Sequence, residues 1–284
     1  MSNRILIYSE KLFELIKTYW ESTANAKMIS RVLVITFMIS FSISLLVKSD
    51  ILSFGQLNPV FMNSFFAIEL SFTLLLLIEI LGLIFVLPKS VARSVGKQFE
   101  LLSLIFLRSG IKEFSHVEDI FHWDVLPEQV LHMFSYGFGA LAIFVIMGFT
   151  YNSQKHIALT NTEDDQIEFV RSKKLLALFL LMVFVGVGIF DIKNLFDSGH
   201  YLQSFNLFYT FLIFSDIVIV LIALRYTDNY YKIFRYSAFI LGTIFIRISL
   251  SAAHYYNVLI GIAAALFIYL LTLSYNYFLK EKKE

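Results

Sequence analysis

The sequence predicts an all-α polytopic membrane protein, with eight transmembrane helices in two parallel four-helix halves and an N-terminal amphipathic interfacial helix. Three observations predict it. Hydrophobic residues make up 58% of the 284-residue chain and charged residues only 16%, where soluble domains carry roughly 25% charged residues. The apolar residues fall in long continuous runs, unlike the alternating segments of a β-barrel. Lysine and arginine then cluster in alternate connections between those runs, as the positive-inside rule requires of a multi-pass chain.

Residues 1–29 form an N-terminal amphipathic cytoplasmic segment. Charge interrupts every apolar run of Ile5–Trp20, ILIYSEKLFELIKTYW, so it is no signal-peptide core. Ile5, Tyr8, Leu12, Leu15 and Tyr19 share one helical face, with Glu10, Lys11, Glu14 and Lys17 mostly opposite. Such a helix lies in the interface, with Trp20 at headgroup level.

A spanning helix needs about 20 mostly apolar residues. The runs are Ser30–Val47, Ser64–Leu87, Ser94–Ile111 and Val130–Tyr151, then Lys174–Leu195, Phe205–Leu224, Phe234–Ala252 and Tyr256–Phe278. Pro59, Pro88 and Pro127 all fall between runs, where a helix breaker belongs. The third run is the least apolar, since Glu100 and Arg108 bracket its short core Leu101–Leu107. It is counted as a span because omitting it would move Lys155, Arg171, Lys173 and Lys174 to the outer side. With eight spans, only Lys48, Arg108, Lys112, Lys193 and Arg247 stay outside or within the membrane. The expected location is the cytoplasmic membrane, with both termini cytoplasmic.

Two loops have any size. The outer one, SGIKEFSHVEDIFHWDVLPEQ (Ser109–Gln129), carries acids, histidines and Trp123. The inner one, Asn152–Ser172, holds an acidic patch of Glu163, Asp164, Asp165 and Glu168. It divides the chain into a first membrane half at 30–151, a cytoplasmic linker at 152–172, and a second half at 173–284 with a short basic tail.

Each half repeats one grammar. Glu79 precedes Arg108 by 29 positions, and Asp216 precedes Arg247 by 31. Each acid comes nine residues before the end of its run, at Pro88 and Arg225, which puts it about 13 Å from that boundary and near midplane. A lone charge at that depth costs at least about 2.5–3.5 kcal/mol, so each acid is expected beside its arginine. The functional reading is an ion, proton or solute path lined or gated by Glu79, Arg108, Asp216 and Arg247. The alternative is a non-transporting scaffold or sensor, in which the pairs fix helix register and the loops bind partners. One deep arginine per half is too few for a voltage sensor, which needs about 3–4 gating charges.

Other chemistry is sparse. His116, His122, His132, His200 and His254 fall on or near the outer side. Glu118 and Asp119 are four and three residues before His122, spacings that put metal-binding or pH-sensing groups on one helical face. There is no cysteine, HExxH, Walker loop, GxGxxG or GxSxG, so no catalytic constellation is visible. No cofactor is expected, since haem ligation would need histidines inside spans. The expected partners are membrane lipids, together with a second copy or another protein. A net charge of +1 gives nucleic acid no handle.

Overall fold

The computed structural model describes residues 2–53, 66–89, 91–113, 127–154, 163–198, 205–227 and 229–281. Among the described residues the regular structure is helical. In order they are α1 (Ser2–Trp20), α2 (Thr23–Lys48), α3 (Phe66–Val86), α4 (Val91–Glu113) and α5 (Glu128–Ser153), then α6 (Glu163–Ser198), α7 (Phe205–Leu224), α8 (Tyr230–Ser251) and α9 (Tyr256–Glu281). Six of them, α2 and α5 to α9, are long and apolar enough to cross a membrane, so the protein has the character of a multi-pass membrane protein. Against the eight expected spans, α3 contributes a shorter apolar stretch, Leu70–Val86, and α4 is too polar to qualify by composition.

The packing explains α4. It touches α3, α5, α8 and α9, and its Val95, Phe99, Leu102 and Phe106 are almost wholly enclosed. Hydropathy measures tolerance for lipid contact, and most of this helix has helices for neighbours instead. By contrast α2 packs mainly on α3 and leaves Val32, Val34, Ile35, Met38 and Ile39 exposed, a surface suited to acyl chains.

Side-chain caps set the corners. Ser22 Oγ accepts the Asn25 backbone N–H at 3.2 Å, and Asn25 Nδ2 donates to Trp20 O at 3.1 Å, so the chain turns between α1 and α2. Asn229 Oδ1 accepts from the N–H groups of Tyr231 and Lys232 and starts α8. Close approaches need missing side chains. A Cβ on Gly96 of α4 would collide with the Tyr151 ring of α5, and one on Gly242 of α8 would strike Ile268 of α9.

One boundary and one helix face differ from expectation. The span expected from Lys174 belongs to a helix that begins at Glu163, so residues 163–172 of the expected linker are helical. Acids in a first helical turn are favoured by the helix dipole, which is why the acidic patch starts a helix. At 36 residues, α6 is about 54 Å long, well beyond a hydrocarbon core of about 30 Å. Its early turns hold α1: Glu10 takes Arg171 at 2.7 Å and Lys174 at 2.8 Å, and Glu14 takes Lys174 at 2.8 Å. Hydrogen bonds from Lys174 and Arg171 hold the Glu10 carboxyl below the usual carboxylate range, and Lys174 does the same for Glu14.

The second difference concerns α1 itself. It buries Leu6, Ser9 and Phe13, with Ile16 and Trp20 packed against the core. The adjacent stripe of Tyr8, Leu12, Leu15 and Tyr19 stays open. The helix therefore carries two apolar faces, one docked on the bundle and one free.

Candidate functional site

Helix α4 touches both predicted charge sets, at Arg108 and, ten residues earlier, at Gln98. Antiparallel packing of α3 on α4 sets Arg108 against Glu79, and Arg108 Nη2 and Glu79 Oε1 form an ion pair. Among the described residues, Glu79 Oε2 and Arg108 Nη1 are buried without a hydrogen-bond partner. The pair is thus held at one point of contact only.

Space lies on both sides of it. Toward the end of the bundle that carries α1, a cavity of about 360 Å³ is lined by Glu79, Gly82, Leu101 and Leu104, with Ala26 and Ile29 of α2. It shares Trp20, Gly82, Lys97 and Glu100 with a second cavity of about 600 Å³, which reaches Lys89, Arg93 and Tyr151. That mouth is polar: Lys97 pairs with Glu100 at 2.6 Å, and Tyr151 Oη donates to Glu100 at 2.7 Å. Toward the far end, a cavity of about 140 Å³ is lined by Arg108 with Thr73, Ser109 and Lys112. A water needs only about 10–15 Å³ of such space, so each cavity has room for several.

The second hairpin is arranged differently. Asp216 and Arg247 are both enclosed, at 5% and 3% exposure, yet they make no direct ion pair. Thr243 Oγ1 donates to Asp216 Oδ2 at 2.9 Å. Arg247 Nη2 donates to Gln98 Oε1 of α4 at 2.9 Å, and its guanidinium lies 5.4 Å from the Tyr209 ring centroid. The expected contact is replaced because α4 supplies a neutral acceptor closer to the guanidinium, while Asp216 and Arg247 still attract through space. Each ion thus has one charge-assisted hydrogen bond to a neutral group, and among the described residues Arg247 Nε is buried without a partner.

Gln98, Tyr209 and Thr243 were not singled out from sequence. Thr243 lies four residues before Arg247, and Tyr209 seven before Asp216, each on the same helical face as its ion. That spacing was a readable signal. Gln98 had none, since its contact with Arg247 spans 149 positions of sequence. The predicted outer group Glu118, Asp119 and His122 lies outside the described residues, as does Trp123.

Compared with known proteins, the chain matches no family model, no curated protein and no solved structure.

Proposed function

We propose that this chain is a channel- or transporter-like protein of the cytoplasmic membrane, in which the Glu79–Arg108 ion pair closes a path along α3 and α4. The observation that carries the reading is that cavities approach the pair from both ends, with Glu79 lining one and Arg108 lining the other. Opening would require only that one ion pair part, because each partner keeps an unused hydrogen-bonding atom and a cavity wide enough for water. An ion, a proton or a small polar solute suits such a constriction.

In this reading α3 and α4 cross with the other six, giving eight spans in two parallel halves, α2–α5 and α6–α9. The neighbour pattern supports it: α2·α3, α3·α4 and α4·α5 recur as α6·α7, α7·α8 and α8·α9, and equivalent helices meet as α4·α8 and α5·α9. Lys89, Arg93, Lys97, Arg171, Lys174 and Arg225 gather at the α1 end, which favours that end as cytoplasmic. The open stripe of α1 would then rest on lipid.

The Asp216, Thr243, Arg247 and Gln98 set takes the other role weighed from sequence, a fixed polar lock between halves. Its enclosure supports a structural part in the same molecule.

The test is flux in proteoliposomes, read with a pH-sensitive dye in the lumen for protons and with ion-selective dyes for potassium and chloride. Glu79→Gln, which keeps shape and removes the charge, is expected to change flux or its pH response in folded protein. Unchanged flux and pH response would overturn the transport reading and leave the scaffold or sensor reading in force.

A further inference from the structure

Three helical elements converge at the far end of the bundle on a cluster unrelated to the charged hairpins. The last residue of α4, Glu113, the second turn of α5, at His132, and the α8–α9 turn, at His254, bring one carboxylate and two imidazoles together. Their nearest ligand atoms all lie within 4.8 Å of one another. His132 Nδ1 is 3.5 Å from Glu113 Oε2, and the two imidazole centroids are 3.5 Å apart.

We propose that Glu113, His132 and His254 bind a divalent transition-metal ion, with zinc the best fit to two imidazoles and a carboxylate. Two imidazole nitrogens select against magnesium and calcium, which prefer all-oxygen shells. A zinc ion with ligands at about 2.0–2.2 Å needs donor atoms roughly 3.5 Å apart, so modest side-chain rotation from the observed separations completes the set.

The second, independent observation is at His254, whose other nitrogen meets a fixed hydroxyl, the arrangement that orients a metal-binding histidine. His132 Nε2 faces Glu128 Oε1 at 3.7 Å, leaving Nδ1 toward Glu113. His254 Nδ1 lies 3.3 Å from the Tyr136 hydroxyl, leaving Nε2. Among the described residues that Nε2 is buried and without a hydrogen-bond partner, a cost unless something else fills the position. Tyr136 is itself fixed, because Asn257 Nδ2 donates to its hydroxyl at 3.0 Å. The oxygen can accept from both Asn257 and His254 Nδ1–H, and the tautomer protonated at Nδ1 presents Nε2 to a metal.

Such an ion would tie α4 and α5 to the α8–α9 turn, where Ser249 Oγ donates to Asn257 O at 2.7 Å and Tyr255 adopts a φ of 64°. The inference is independent of the transport reading.

The experiment uses the full chain in detergent with no histidine tag, stripped with chelator and titrated with zinc and with cobalt. One equivalent is expected to bind, with a rise in melting temperature and, for cobalt, visible d–d bands. His254→Ala and Glu113→Gln are each expected to weaken zinc binding at least tenfold, and Tyr136→Phe about tenfold. Absence of stoichiometric zinc and cobalt binding to the unaltered protein overturns the proposal. So does binding that survives unchanged in folded Glu113→Gln and His254→Ala. Because the first criterion uses the unaltered chain, a variant that fails to fold does not remove the test.

Discussion

In the α3–α4 hairpin the arginine reaches back across its own connection to the acid; in the α7–α8 hairpin it turns away to Gln98 of the other hairpin. The acid–arginine spacings in the chain are nearly the same. What differs is what surrounds the return helix. Arg108 faces α3 and a cavity, so its one strong acceptor is Glu79. Arg247 sits where α8 meets α4 and α7, and finds an amide and a tyrosine ring. Spacing along a hairpin therefore sets which charges share a depth. The third helix nearby decides whether they touch.

That contrast can be broken or sharpened by mutation, and the largest effect is expected in the closed set. Arg247→Ala strands the enclosed Asp216, and should cost about 3–5 kcal/mol in detergent unfolding. Adding Asp216→Leu to Arg247→Met should recover most of it, because removing both buried ions is often neutral. If the single change leaves the melting curve where it was, the proposed polar lock between α8 and α4 does not exist.

Arg108→Ala should cost less, about 1–3 kcal/mol, since water in the flanking cavities can solvate Glu79. Exchanging the charges, Glu79→Arg with Arg108→Glu, should restore stability. The same exchange at Asp216 and Arg247 should not, because Thr243 and Gln98 are placed for the original order. Rescue at both sites would mean that the two hairpins are equivalent after all.

Thr243→Val removes one donor to Asp216 and should cost about 1 kcal/mol, with no change in flux. The smallest effect lies outside both hairpins. Glu10 and Glu14 have lowered values, so their contribution to α1 docking is complete above the ordinary carboxylate range near 4.5 and disappears as pH falls through the lowered values. Both are partly solvated, which limits the gain. Limited proteolysis of α1 should accelerate only below that range, and Glu10→Gln should bring the acceleration to neutral pH.

Much of this was legible in the chain. Helix positions followed the apolar runs, and the misplaced charges marked the helices that face one another. The exceptions have specific causes. The polarity of α4 understated its place because hydropathy registers lipid contact and α4 is lined by protein. The start of α6 was missed because acids that read as a linker also suit a helix N-terminus. One face of α1 was found and the other was not: Leu6, Phe13 and Ile16 pack on the bundle, and no pattern within α1 says which face has a neighbour. The pairing of His132 with His254 crosses 122 positions of sequence, a distance at which spacing carries no information.

The position of α4 also bears on how the protein is made. In the eight-span reading, the helix least able to enter lipid by itself is synthesised before α5, α8 and α9, three of the four helices that enclose it. During that interval Gln98 and Arg108 have only α3 and Glu79 for company, and Arg247 has yet to be translated. Insertion of α4 as a hairpin with α3, through the Glu79–Arg108 contact, would carry it across until the second half arrives. A chain released after α4 should therefore hold its topology poorly, and one released after α5, its longest interface, should hold it better.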